Sequence, residues 1–145
     1  MIIFLDANII FTAIFSKSGA SNLLFQLAEK YSKKIQLVTS KYAIQEAHKN
    51  LLLKCKIPDL ELEFAHKVAL LNKVFHDNAD TIDFDFYSKI IQEKDAPILH
   101  AANKLKANFL ITLDKKDFFS SKIKKVKFIY KIVTPGEFLK HHLQL

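Results

Sequence analysis

Two apolar runs, Ile2 to Leu5 and Phe109 to Thr112, each lead almost at once to a carboxylate, Asp6 and Asp114. Runs this short, free of charge and rich in β-branched and aromatic residues, suit strands covered on both faces. Ile35 to Thr39 reads as another strand, and one or two more are expected within Val126 to Val133. Longer stretches of helical period separate these runs. Ser21 is placed as the N-cap of a helix reaching Lys34, with Leu23, Leu24, Leu27, Ala28 and Tyr31 on one face. Ser40 caps a helix from Lys41 to about Lys54, and Pro58 then breaks the chain. Asp59 opens a helix with Leu60, Phe64, Val68, Leu71 and Phe75 on one side. A returning strand is placed near Thr81 and Ile82, and a short helix over Phe86 to Gln92. Asp95-Ala96-Pro97 starts a helix reaching Lys106, and the capping box Thr134-Pro135-Gly136-Glu137 starts the last one. Strand and helix in alternation predict an α/β fold, a three-layer sandwich whose central, mainly parallel sheet is flanked by helices. With two glycines and three prolines the chain has no flexible linker, so residues 1–145 are read as a single domain.

In an open parallel sheet, ligands bind beyond the carboxyl ends of the strands. The polar residues that follow the apolar runs are therefore the first candidates. Asp6 stands between Leu5 and the run Ala7-Asn8-Ile9-Ile10-Phe11, where a surface acid is out of place. Burying an unpaired carboxylate costs several kcal/mol in effective terms, unless it is paired or bound to a cation. Capping the following helix is the competing explanation. Asp95, at a helix start, is also adequately explained as a cap. Glu46 sits on a partly apolar helix face, and Asp117 follows Asp114 within a charged turn.

Together, Asp6, Glu46, Asp95 and Asp114 fall at or near the exit of a strand or the start of the next helix, positions that share one sheet edge. Carboxylates crowded there repel one another unless a hard divalent cation sits among them. All-oxygen ligation selects Mg²⁺ or Mn²⁺. The single Cys55 excludes an internal disulfide and a Cys-based zinc site, and it suits a reducing compartment. Lys and Arg number 22 against 15 acids, a net charge of +7 that favours a polyanionic partner. A basic chain with an acidic, cation-binding edge is suited to phosphodiester hydrolysis. The densest basic stretch, Lys115, Lys116, Lys122, Lys124, Lys125, Lys127 and Lys131, follows Asp114 directly and is placed to hold phosphates. No apolar run approaches the ~18 residues of a membrane span. Asp6 and Asn8 interrupt the N-terminal apolar stretch, and no basic residue precedes it, which argues against a signal sequence. A cytoplasmic protein without membrane contact is the expectation.

These residues resemble the PIN-domain family, the fold of many metal-dependent ribonucleases, including toxins of prokaryotic toxin–antitoxin pairs. The likeness runs along nearly the whole chain. Phe4-Leu5-Asp6-Ala7-Asn8 is similar to the opening hydrophobic-Asp-x-Asn motif, and Ser40 to Glu46 to the Ser-then-Glu segment after the second strand. Asp95 to Ala102 is similar to Asp-x-x-Ile-Leu-x-Ala-Ala, and Leu110 to Phe118 to Thr-x-Asp-x-x-Asp-Phe. Val133 to Leu139 matches a Thr-Pro-x-Glu-Phe-Leu close.

The resemblance implies that Asp6, Glu46, Asp95 and Asp114 bind Mg²⁺ or Mn²⁺, with Asp117 a fifth acid acting directly or through water. It implies that Asn8 and Thr112, and less directly Ser40, orient carboxylates or a water of the cation. It further implies RNA cleavage by activated water to 5′-phosphate and 3′-hydroxyl ends, a cognate antitoxin as partner, and a homodimer. One departure is Leu113, where many relatives carry Gly, which leaves open whether Asp114 or Asp117 faces the cation. Two other readings compete: an RNA-binding domain of this fold with weak or no catalysis, and a Mg²⁺ phosphatase on another α/β scaffold. Such phosphatases commonly carry a second Asp two residues after the first, where this chain has Asn8.

Overall fold

A computed structural model describes residues 1–54, 58–76 and 78–145. Cys55, and Asp77 of the acidic stretch that also holds Asp80, Asp83 and Asp85, lie outside these. Five strands, β1 (Ile2–Leu5), β2 (Gln36–Ser40), β3 (Lys73–Phe75), β4 (Phe109–Ile111) and β5 (Lys131–Val133), form one sheet in the order β3-β2-β1-β4-β5. Every pairing is parallel, with Phe4 opposite Val38 on one side and Leu110 on the other.

The sheet is covered on both faces because its inner strands β1 and β4 are apolar at every position, odd and even alike, and β2 adds Leu37 and Val38 on opposite faces. Ile3 and Leu5 point to one face with Leu37, Ile111 and Val133. There they meet Ile9, Ile10 and Ala13 of α1 (Ala7–Phe15), and Leu24 and Phe25 of α2 (Ala20–Lys30). Phe4, Val38 and Leu110 point to the other face, against Ile98, Leu99, Ala101 and Ala102 of α6 (Ala96–Lys104). Helix α3 (Lys41–Lys54) serves both layers, Ala43 in one core and Ala47 in the other. The remaining helices are α4 (Pro58–Ala69), α5 (Phe84–Tyr87), α7 (Lys115–Phe118), α8 (Ser121–Lys124) and α9 (Pro135–Glu137), which runs into a π-helical turn over Phe138–His142. The three-layer sandwich is thus present, and its sheet is wholly parallel.

Several local expectations change. Helix α2 is capped by Gly19, not Ser21; the Ser21 hydroxyl instead accepts from Thr12 Oγ1 at 2.8 Å. The helix opened at residue 58 stops at Ala69, so Phe75 belongs to β3 rather than to the helix. Asn72 makes that switch: its N–H donates to Leu37 O at 2.7 Å, and its Oδ1 accepts from Leu37 N–H at 2.9 Å. The returning strand placed at Thr81 and Ile82 is a 3-10 turn, Ala79–Thr81, because the sheet has already taken its edge strand at β3. Of the helix placed at Phe86 to Gln92 only Phe86 and Tyr87 are helical, as the end of α5; Asp83 starts it earlier, its carboxylate accepting from Phe86 N–H at 3.1 Å, and the chain turns from Ser88 onward. Of Val126 to Val133, only the last three residues pair; Phe128 and Tyr130 stack ring on ring ahead of them.

The capping box is formed in full. Glu137 N–H donates to Thr134 Oγ1 at 3.2 Å, and Thr134 N–H donates to Glu137 Oε2 at 3.0 Å. It sets the course of the chain toward Phe138, which is wholly buried and edge-on to Phe109. Thr134→Ala is expected to cost about 1 kcal/mol, read as a lower urea midpoint.

Candidate active site

The chain passes from β3, at one edge, across the sheet to β4, on the far side of β1. The crevice beyond β1 and β4 is therefore the topological switch point of the sheet. Asp6 leaves β1 there, and its N–H donates to Ile111 O at 3.0 Å, continuing the ladder by one bond. The residue is 7% exposed, and both of its carboxylate oxygens accept hydrogen bonds. Oδ1 accepts from Ala7 N–H at 2.7 Å, and Oδ2 accepts from Thr112 Oγ1 at 2.7 Å and Asn8 Nδ2 at 3.2 Å. Asp6 is thus the N-cap of α1, and it also forms a wall of the crevice.

Thr112 joins the pieces. Its hydroxyl donates to Asp6 and accepts from Asn8 Nδ2 at 3.2 Å and from Asp114 N–H at 3.1 Å. Asn8 Oδ1 accepts from Leu113 N–H at 3.1 Å, tying the start of α1 to the loop after β4. Leu113 takes this path with no strain: the only positive φ among the described non-glycine residues is at Lys106. Asp114 then caps α7, accepting from Asp117 N–H at 3.1 Å. This turn brings both acids to one place, and carboxylate oxygens of Asp95, Asp114 and Asp117 lie within 4.8 Å of one another.

Asp95 does not act as a side-chain cap for α6. It is 9% exposed, and its Oδ2 is buried without a hydrogen bond. Burial pushes its carboxyl up to about 6; Lys94 opposes the rise, while Asp117 and Asp6 add to it. Asp6 is raised as well, burial outweighing the hydrogen bonds from Thr112 and Ala7 that favour its charged form. Lys94 Nζ lies 3.4 Å from Asp95 Oδ2 and 3.8 Å from Asp117 Oδ2.

A cavity of about 150 Å³ holds these groups, with Asp6, Glu46, Asp95 and Asp114 on its walls together with Asn8 and Lys94. Glu46 and Asn50 enter it one turn apart on α3, beside Tyr42, but Glu46 stands outside the tight group of three. Ser40, wholly buried, accepts from Ala43 N–H at 3.1 Å and so caps the helix that carries Glu46. The donor set is carboxylate oxygen throughout, and one of these oxygens is buried with no hydrogen bond, its charge met among the described residues only by Lys94 at 3.4 Å. That composition fits a hard divalent cation, with Asp95, Asp114 and Asp117 the residues placed to hold it.

Beyond Asp117 opens a larger cleft of about 440 Å³, with Lys89, Lys116 and Lys122 beside Ser88, Ser120 and Ser121. Of the other lysines singled out in the sequence, Lys115 borders a separate hollow with Thr12 and Thr134, and Lys124 borders an aromatic groove with Phe119 and Phe128. Lys125 borders none of these hollows. Phe118 is 1% exposed and packs in the core, so it is not free to stack on a base. Sequence reasoning missed Lys89, Asn50, Tyr42 and Lys94. Only Lys94, next to Asp95, carried a signal that could have been read.

Fold and edge thus define a doubly wound α/β domain with an acidic centre at its switch point. The family described as PIN domain matches residues 2–116, and the chain belongs to that family. No curated protein matches its sequence significantly. Among solved structures, VapBC2 from Rickettsia felis bound to a DNA fragment from its promoter is similar at a TM-score of 0.67 and 18% identity, covering 92% of this chain and 98% of that one. VapBC-1 from nontypeable Haemophilus influenzae is similar at a TM-score of 0.63 and 19% identity, covering 94% and 99%. FitAB bound to the IR36 DNA fragment is similar at 0.60 and 15%, covering 99% and 98%. These likenesses concern the fold. No helix among the described residues is long and apolar enough to cross a membrane.

Proposed function

We propose that the protein is an endoribonuclease dependent on Mg²⁺ or Mn²⁺, acting as the toxin of a toxin–antitoxin pair in the cytoplasm. The observation that carries this reading is the buried Oδ2 of Asp95, which among the described residues has no hydrogen bond and only the ion pair to Lys94, within reach of two further carboxylates. Asp95, Asp114 and Asp117 would hold a divalent ion there, which would supply an activated water and offset charge on the phosphate. The protein's own part is positioning. Thr112, holding Asp6, Asn8 and the Asp114 amide at once, keeps the acids in register. Asp114 fixes Asp117 through the α7 cap, and Gln92 Nε2 donates to Asp117 Oδ1 at 3.3 Å. Glu46, with Asn50 behind it, faces the same cavity from α3 and is read as a further ligand, direct or through water. The cleft lined by Lys89, Lys116 and Lys122 shares Asp117 with the acidic group, so a strand lying in it brings a phosphate to the carboxylates. Lys115, Lys124 and Lys125, which lie outside this cleft, are read as further contacts to the RNA backbone. No side-chain nucleophile is required, and products end in 5′-phosphate and 3′-hydroxyl.

The partners in this reading are RNA, a cognate antitoxin that covers the acidic cavity, and a second copy of the chain. The test is cleavage of a generic single-stranded RNA with Mg²⁺ or Mn²⁺, expected to stop on adding EDTA and to return with excess cation. Binding of that RNA with no cation-dependent cleavage would favour the non-catalytic reading. The double substitution of Lys116 and Lys122 by Ala is expected to raise KM about tenfold, near 1.4 kcal/mol, and to change kcat little.

A further inference from the structure

The acidic cavity contains a cation of the protein's own. Lys94 Nζ stands 3.4 Å from Asp95 Oδ2 and 3.8 Å from Asp117 Oδ2, and Lys94 lines the cavity with Asp6, Glu46 and Asp114. Neither distance reaches the ~2.7–2.9 Å of a charge-assisted hydrogen bond. The Lys94 side chain is 61% exposed, whereas its main chain is held: the Tyr42 hydroxyl donates to Lys94 O, and the next N–H, of Asp95, donates to Gln92 O at 3.0 Å. A fixed backbone carries a loosely held ammonium on a flexible four-carbon stem. One positive charge serves several carboxylates at distances that leave Asp95 Oδ2 without a hydrogen bond.

Resting on the nuclease reading, we propose that Lys94 is a built-in counter-ion, which a divalent cation displaces from the carboxylates and which then binds the phosphate of the RNA. A dication and an ammonium cannot share the same few oxygens without strong repulsion. The stem swings out, since among the described residues its ion pairs with Asp95 and Asp117 are what hold the head in place. The mouth of the cavity is where the phosphate arrives, so the displaced ammonium meets a new anion without leaving the site. Lys94 thereby competes with the cation and assists the substrate, two effects of opposite sign.

Lys94→Met keeps the stem and removes the charge; Lys94→Arg keeps the charge. Mn²⁺ alone is titrated calorimetrically into the metal-stripped proteins, and RNA cleavage is measured separately at saturating Mn²⁺. Lys94→Met is expected to bind Mn²⁺ about tenfold more tightly than the native chain, the size of a unit-charge repulsion in a partly solvated site. Lys94→Arg is expected to bind it within about twofold of the native chain. At saturating Mn²⁺, Lys94→Met is expected to cleave RNA at least about tenfold more slowly in kcat/KM. Unchanged or weaker Mn²⁺ binding by Lys94→Met overturns the displacement, and unchanged cleavage overturns the phosphate contact. If the native chain binds no Mn²⁺ at all, the nuclease reading itself is what fails.

Discussion

Asp95→Asn is expected to make the cation-free protein more stable above pH 6 while removing its RNA cleavage. In the folded chain this carboxyl is pushed up to about 6 from an ordinary 3.8, chiefly by burial. Folding therefore favours its protonated form. The stability linked to that proton is fully present below about pH 4 and is lost as pH rises through about 6. The loss is about 1–2 kcal/mol once solvent at the cavity mouth is allowed for. An amide at this position is neutral at every pH. It escapes the loss and gives up only an ion pair to a Lys94 side chain that is mostly exposed. In EDTA, the native melting temperature should fall between pH 4 and 7, and the variant should fall less. Added Mn²⁺ should restore the native protein increasingly toward high pH and leave the variant unmoved. Cleavage should drop by about 10²–10³-fold, the scale for losing one preorganised group at a charge-stabilising site. A native melting temperature flat across that pH window, or a variant cleaving at the native rate, would sink the account.

Thr112→Val should cost about 2–4 kcal/mol although it conserves volume. The side chain is wholly buried, and its hydroxyl is the meeting point of Asp6 Oδ2, Asn8 Nδ2 and Asp114 N–H. Removing it leaves Asp114 N–H without that acceptor and reduces Asp6 Oδ2 to its 3.2 Å contact with Asn8. Each buried group so abandoned costs about 1–3 kcal/mol. Thr112→Ser keeps the hydroxyl and should lose little beyond a methyl group. The comparison is made by urea denaturation. A Val variant within about 1 kcal/mol of the native chain would show that Thr112 does not organise the site.

The positions where expectation and structure part share one cause. Helix α6 and the capping box at Thr134 were legible because their signals lie within a few neighbouring residues. Phe75 was not: an apolar residue at helical spacing is equally suited to an edge strand. What decided it was the pairing of Asn72 with Leu37, 35 residues earlier in the chain. Ser21 carried the right chemistry for a cap, but the Thr12 hydroxyl claims it from the neighbouring helix.

The candidate site divides in the same way. That acids follow the strands can be read directly from Asp6 after Leu5 and Asp114 after Leu113. That Asp95, Asp114 and Asp117 form the tight group, with Asp6 and Glu46 on the surrounding walls, cannot. The adjacency of Lys94 to Asp95 can be read from the sequence too, but not its approach to Asp117.

By itself, then, the sequence determined a doubly covered parallel sheet, through strands apolar at odd and even positions alike, and a row of carboxylates at its carboxyl edge. Only the tertiary structure decided which of those carboxylates share a cation's width of space and which are held by neutral donors. The physical reason is range. Periodicity and capping are set by residues within one or two turns of each other, whereas the Thr112 bond to Asp6 joins positions 106 apart and exists only once β1 and β4 lie side by side.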